Sequence, residues 1–451
     1  MSGIAEVLLN LGYEVSGSDK SLSEVTDHLS KKGAKIFEGH SAKNAVGCGV
    51  LVYSSAVTVE NPEVREAYRL KIPVIKRAEM LGELMRLKFG VAIAGTHGKT
   101  TTTSLIGAVL TEGSLDPTLI IGGKVRSLKT NAQLGSSDFL VAEVDEFDRS
   151  LLTIIPTIAV ITNIESDHLE CYDDMDDLKN SFLAFANKVP FYGKVIVCLD
   201  NTGVQEILTR IKRKVETYGF SSHAEITARN ISYDVGDVSF DAHLRGDFLG
   251  KIKLQVPGKH NVLNALAGIA VGLELDVPFA KIQKGLQNFT GVSRRFEIKA
   301  VINDIMLVDD YAHHPTEIMA TLQGARSGWP DRRIVAVFQP HLYSRTKNFY
   351  KEFARSFFDA DVLYVTEIYP AREEPIEGVT GDLIAQAAIE MGHKSVNYVD
   401  SKERIADEVA KVLEPKDMVI TIGAGDVWRI NNQLVEKLGQ LYAQTGKVEN
   451  R

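Results

Sequence analysis

Cysteine is scarce in this chain: Cys48, Cys171 and Cys198 are the only three in 451 residues, and they stand far apart. There is no CxxC pair and no Cys/His zinc spacing, so buried or shielded thiols are expected rather than a disulfide framework or a structural zinc site. No run of roughly 18 apolar residues occurs, which excludes insertion of a membrane-spanning helix. The opening Met1-Ser2-Gly3-Ile4-Ala5-Glu6 lacks the basic segment and apolar run of a signal peptide, and a cytoplasmic protein is expected. Positive charge is not in excess either. The 51 Lys and Arg against 59 Asp and Glu leave a net charge of −8, which argues against a general nucleic-acid binder.

What is present is an ordinary globular composition, 44% hydrophobic and 24% charged, in a chain too long for one core. The predicted class is α/β, with three domains each built on a mostly parallel, doubly wound sheet. Boundaries fall near Lys88 and Gly291, giving segments 1–88, 89–290 and 291–451. The chain opens with helical spacing at Ile4, Val7, Leu8 and Leu11, then a strand ending at Asp19. This is the second half of a β-α-β unit, and its first strand is missing.

A fresh apolar strand, Phe89 to Ala94, leads into Gly95-Thr96-His97-Gly98-Lys99-Thr100-Thr101 and then a helix. Strand, glycine loop, lysine, hydroxyl and helix N-terminus together supply what a nucleoside triphosphate needs. The strict pattern requires glycine at position 93, where Ile93 stands, so the loop is a shortened variant. Two later apolar strands end in polar groups: the first in acids suited to Mg²⁺, the second, at the sheet edge where ligands bind, in a pair open to a structural or a ligand role. One is followed by Glu143-Val144-Asp145-Glu146-Phe147-Asp148, with Glu143 nearest the strand; the other leads to Asn163 and Asp167-His168. Further on, Pro257-Gly258-Lys259-His260-Asn261 opens a helix in which Asn261 and Asn264 share a face; helix capping is the plainer reading of Asn261.

In the last segment three polar motifs fall at the hinge or at strand ends. They are Arg294-Arg295-Phe296-Glu297, Asp309-Asp310-Tyr311-Ala312-His313-His314-Pro315, and Gln339-Pro340-His341-Leu342-Tyr343-Ser344-Arg345-Thr346. The paired arginines suit a bidentate grip on phosphate.

Taken in order, these motifs resemble the Mur ligase family over nearly the whole chain. The last two motifs resemble its alanine-adding branch more than the later ligases; the branch that recycles murein peptides shares the first of the two in near form, so the second decides between them. The resemblance implies an N-terminal UDP-sugar domain, a central ATPase domain, and a C-terminal domain that receives the amino acid. It further implies ATP-dependent ligation of L-alanine to the carboxylate of UDP-N-acetylmuramate through an acyl-phosphate. Under it Lys99 holds the β/γ-phosphates, Thr100 and Glu143 serve Mg²⁺, and His168 ligates a second Mg²⁺. His260, Asn261 and Asn264 lie at adenine, while Arg295, His313, His341 and Arg345 meet phosphate, carboxylate and incoming amine. The family opens with a strand and glycine loop ahead of the first helix here, so an open centre in the N-terminal sheet and weakened UDP-sugar affinity are expected. A P-loop switch or motor and an inactive UDP-sugar-binding protein are the alternatives.

Overall fold

The computed structural model describes residues 1–54, 56–123, 126, 132–166, 171–371 and 373–443. By contacts the chain divides into two compact units, one of residues 1–230, 240–253 and 263–289 and one of residues 231–239, 254–262 and 290–451. Among the described residues no helix is long and apolar enough to cross a membrane.

The N-terminal strands are short: β1 (Ser16–Asp19) pairs in parallel with β2 (Lys35–Glu38), and β3 (Leu51–Tyr53) with β4 (Val74–Lys76). The two pairs are separate sheets. Two-stranded sheets are marginal alone. This segment accordingly borrows a core. Ile4 and Val7 of helix Ser2–Asn10, with Met80, Leu81, Leu84 and Met85 of helix Arg77–Arg86, pack into the cluster of the central sheet.

That sheet contains β5 (Phe89–Ala94), β6 (Thr118–Ile120), β7 (Ala132–Gln133), β8 (Phe139–Glu143), β9 (Ile158–Ile161), β10 (Lys194–Cys198) and β11 (Val215–Gly219). It is completed by β12 (Ile226–Asp234), β13 (Asp237–Leu244) and β14 (Asp247–Leu254). Its order is β14-β13-β12-β11-β10-β9-β5-β8-β6-β7. The middle strands are parallel and apolar on both faces, as strands covered by helices on both sides must be. β5 lies between β8 and β9, neither its neighbour in sequence, so the crevice beyond its C-terminal end is the ligand position of a doubly wound sheet. The β12 to β14 meander was not anticipated. Its two-residue turns, Val235-Gly236 and Arg245-Gly246, carry positive φ at Gly236, Arg245 and Gly246, as tight hairpins require.

The second unit holds a six-stranded sheet of β15 (Glu297–Ile302), β16 (Ile305–Asp310), β17 (Arg333–Phe338), β18 (Val362–Thr366), β19 (Val396–Val399) and β20 (Asp417–Ile422). Its order is β15-β16-β20-β17-β18-β19, parallel except for β15. Alternate residues serve opposite cores: Met306, Val308, Ala336 and Phe338 face one, and Ile305, Leu307, Val335 and Val337 the other.

Candidate active site

The glycine loop joins β5 to helix Lys99–Glu112. Gly95 sits at φ 143°, and a Cβ there would fall 2.0 Å from Thr162 Oγ1. Gly98 caps the helix at φ 80°, where a Cβ would meet Asn264 Oδ1 at 2.8 Å. Both positions therefore require glycine. The segment after β9 clamps the loop. His97 N–H donates to Asn163 Oδ1 at 2.8 Å, Thr96 N–H to the Asn163 carbonyl at 3.1 Å, and Thr162 Oγ1 to the His97 carbonyl at 2.7 Å. Thr96 Oγ1 accepts from Glu165 N–H at 2.9 Å, and His97 Nε2 lies 3.6 Å from Glu165. The first N–H groups of a helix are the donors an anion takes, and the loop ends at such a helix start.

Lys99 donates to the Gly95 carbonyl at 2.6 Å, the Thr96 carbonyl at 3.3 Å and Glu146 Oε2 at 2.7 Å. Burial works against its charge, but Glu146, Asp145 and Glu143 outweigh that cost and raise its pKa, so the amine stays charged. Thr100 Oγ1 donates to Glu143 Oε2 at 2.8 Å. A Cβ on Gly122 would lie 1.9 Å from Glu143 Oε1, so the space beside this carboxylate also depends on a glycine. A hydroxyl and a carboxylate in contact are the hard oxygen donors Mg²⁺ takes, and the pair fits it. His168 lies outside the described residues.

Thr101 stands half-buried in the first helical turn, and the next residue, Thr102, donates to Asn264 Oδ1 at 3.1 Å. Asn264 thus sits at the loop. Asn261 turns back instead: from inside the helix Lys259–Glu274 its side-chain amide donates to the Pro257 carbonyl at 2.6 Å, a local bond but not the N–H acceptance of a helix cap.

In the second unit, the two adjacent arginines separate. Arg294 is anchored, donating to Asp309 Oδ2 at 3.0 Å and the Gly423 carbonyl at 2.7 Å, while Asp309 accepts from Thr421 at 2.9 Å. Arg295 reaches Glu317 at 3.5 Å and lies over the Tyr311 ring. His313 Nδ1 is 3.3 Å from the same Glu317, and its ring centroid is 6.0 Å from that of His341. His341 in turn stacks on Tyr369 at 5.7 Å. Arg345 is buried on helix Tyr343–Ser356. Burial pushes Glu373 up, but hydrogen bonds from Ser344 and the Tyr343 N–H, with a lesser contribution from the Arg345 charge, hold its carboxyl below the usual range. Arg295, His313 and His341 are thereby brought together, with Arg345 one helical turn beyond His341.

Electrostatics around Arg295 are poised in opposite senses. Burial pushes Asp310 up to about 6, against Arg295 and the N–H groups of Ala312 and Phe296. Burial, helped by Arg295, pushes His260 down to about 4, with Glu317 opposing. Three groups escaped sequence reasoning: Glu146 at Lys99, Glu317 beneath Arg295 and His313, and Tyr369 beneath His341. Glu146 lay inside the acidic cluster and Glu317 four residues past His313, but Tyr369 lies on a distant loop with no motif around it.

The fold and loop define a P-loop, nucleotide-binding α/β protein with a second, Rossmann-like sheet. Residues 1–89 match the Mur ligase family catalytic domain, residues 93–272 the Mur ligase middle domain, and residues 294–425 the Mur ligase glutamate ligase domain. The chain belongs to the Mur ligase family. A UDP-N-acetylmuramate–L-alanine ligase of Geotalea uraniireducens (strain Rf4) is 53% identical over 97% of this chain and 95% of its own length. One of Salinibacter ruber is 54% identical over 97% and 92%. The crystal structure of the UDP-N-acetylmuramate-alanine ligase MurC from Thermotoga maritima matches with TM-score 0.81 at 29% identity, covering 99% of this chain and 97% of that one.

Proposed function

We propose that this chain joins L-alanine to the carboxylate of UDP-N-acetylmuramate, converting ATP to ADP and phosphate, in the synthesis of peptidoglycan precursors. The observation that carries this reading is near-full-length identity of 53% to a ligase of that name, in a chain whose Lys99 loop is built for a triphosphate. Segments 1–88, 89–290 and 291–451 serve UDP-sugar, ATP and amino acid in turn.

Chemically, a carboxylate oxygen attacks the γ-phosphorus as the bond to ADP breaks, leaving an acyl-phosphate. The amine then adds to the acyl carbon, loses a proton, and phosphate departs. Gly95 to Thr101 cradle the phosphates through backbone N–H groups, and Lys99 sets a charge against the β/γ-phosphates. Thr100 and Glu143, with His168, would hold Mg²⁺, which neutralises developing phosphoryl charge. Asn264, with His260 and Asn261, is assigned to adenine; Arg295 and Arg345 to phosphate and carboxylate; His313 and His341 to the incoming amine. These substrates are cytoplasmic solutes, and the proposal places the enzyme there.

The test is phosphate release from ATP with UDP-N-acetylmuramate and each of several amino acids. Release that needs the UDP-sugar and is greatest with L-alanine is expected. Release without the UDP-sugar would replace the ligase with a simple ATPase.

A further inference from the structure

Phe191, at 84%, is the most exposed large apolar side chain among the described residues, and Tyr192 beside it is 61% exposed. They are the middle residues of the turn Pro190 to Gly193, closed by Gly193 N–H donating to the Pro190 carbonyl at 3.0 Å. The turn cannot swing inward to hide them. A Cβ at Gly193 would fall 2.1 Å from the Thr157 carbonyl, so the backbone is seated hard against the start of β9. The two rings pack edge-on against each other, centroids 5.3 Å apart. Leu87 (69%) and Ile155 (46%) are exposed at the starts of the neighbouring strands β5 and β9.

Beside this apolar tip runs Arg210-Ile211-Lys212-Arg213-Lys214, entering β11. It is tied to the same place: Lys212 N–H donates to Asn187 Oδ1 at 2.7 Å, and Val195 N–H to the Lys214 carbonyl at 2.8 Å. Arg213 Nε bonds the Val189 carbonyl, while Lys212 and Lys214 are exposed. The acids closest in sequence are engaged elsewhere, Glu216 by Lys194 at 3.2 Å and Glu206 by Lys179. In a chain of net charge −8 this is a local basic rim around an aromatic tip.

We propose that this end of the central sheet docks on an anionic lipid surface. Phe and Tyr rings partition to the headgroup level, lysines beside them are drawn to anionic lipid, and reversible attachment takes the two signals together. The rings meet edge to face rather than spreading as a platform for bases, which favours lipid over single-stranded nucleic acid. The geometry also leaves the nucleotide loop free, because the loop lies at the opposite, C-terminal ends of the same strands.

The experiment is flotation of the full chain with phosphatidylcholine vesicles, with and without phosphatidylglycerol, at low and high salt. Binding only to the phosphatidylglycerol vesicles, reversed by salt, is expected. Neutralising Lys212 and Lys214 as glutamines should weaken it about fivefold per lysine. Phe191→Ser with Tyr192→Ser should abolish it, while phosphate release in solution stays unchanged in both variants. A Tyr192→Trp chain reports independently, its emission shifting to the blue on the vesicles. No binding by the parent chain, or binding that both variants retain, overturns the proposal. Binding to RNA but not to vesicles, lost in the same variants, would replace it.

Discussion

The two halves of the molecule reach unusual backbone geometry by different means at their candidate residues. Around the nucleotide loop, positive φ is carried by Gly95 and Gly98, and the space by the absence of their side chains. In the second unit it is carried by Arg294 (φ 59°), Phe296 (φ 44°) and Leu342 (φ 71°), residues with side chains that pay a steric cost there. The first half is set by residue type. The second is set by contacts that lock strained residues in place, and the two should fail differently.

The largest effect should come from the first half. Lys99→Ala removes the one charged donor in the loop and is expected to lower kcat for phosphate release by about 10²–10³-fold, measured at saturating ATP. Gly95→Ala should approach the same loss because its Cβ collides with Thr162 and Asn163. A Gly95→Ala enzyme with parental activity would break the claim that residue type governs this half.

The adjacent arginines sharpen the contrast within the second half. Arg294→Ala strips the guanidinium from Asp309, which is 1% exposed, and breaking a buried pair costs about 3–5 kcal/mol. Arg294 itself is partly exposed, so about 3 kcal/mol is expected, read as a fall in the denaturation midpoint. Arg295→Ala should leave that midpoint nearly unmoved and lower kcat instead. Equal loss of stability in the two variants would remove the distinction between anchor and contact.

Acidity tests the same neighbourhood. Asp310 has a raised pKa, so the folded state holds its proton longer than the unfolded chain does. Its contribution is full below about 3.8 and is lost as pH rises toward about 6. His260 has a lowered pKa, so its contribution runs the other way. It is full above 6.5 and is lost as pH falls toward about 4. The two partly cancel between pH 4 and 6. Asp310→Asn should therefore unmask His260, steepening the loss of stability on acidification, by at most about 3 kcal/mol from the size of the Asp310 shift. Denaturation midpoints across that range that run parallel in parent and variant would refute the assignment.

How much of this was legible follows from the same contrast. The nucleotide loop could be read because glycine, lysine and threonine announce themselves in order, and because Glu143 and Asn163 end apolar strands that had to be central. Parallel strands buried on both faces are continuous apolar runs, so β5, β8, β9, β16, β17 and β20 were visible as well. The β12 to β14 meander was not. Its strands alternate polar and apolar residues, a weaker signal than the continuous apolar runs of the parallel strands, and its turns use Val-Gly and Arg-Gly instead of Asn-Gly. Nor could sequence separate Arg294 from Arg295. That difference depends on which side of a strained turn each faces, and on Asp309, Thr421 and Gly423 arriving from other strands.

Leu342 gives the smallest and most discriminating test. It stands between His341 and the helix that carries Arg345. Its N–H donates to the Tyr369 carbonyl at 3.0 Å, and its own carbonyl accepts from Thr346 N–H at 3.1 Å and Thr346 Oγ1 at 2.9 Å. Those bonds hold a conformation that costs about 1–3 kcal/mol for a residue with a side chain. Leu342→Gly relieves that cost and gives back about 0.5–1 kcal/mol in unfolded-chain entropy, so stability should stay level or rise by about 1 kcal/mol. The locked aim of His341 and Arg345 is then lost, and misplacement of about 1 Å at a reacting centre can cost up to about 10²-fold. A fall of about tenfold in kcat/KM, with no loss of stability, is the expected result. A variant less stable and equally active would show that Leu342 serves packing alone, and that the strained residues of the second unit are no more tuned than the glycines of the first.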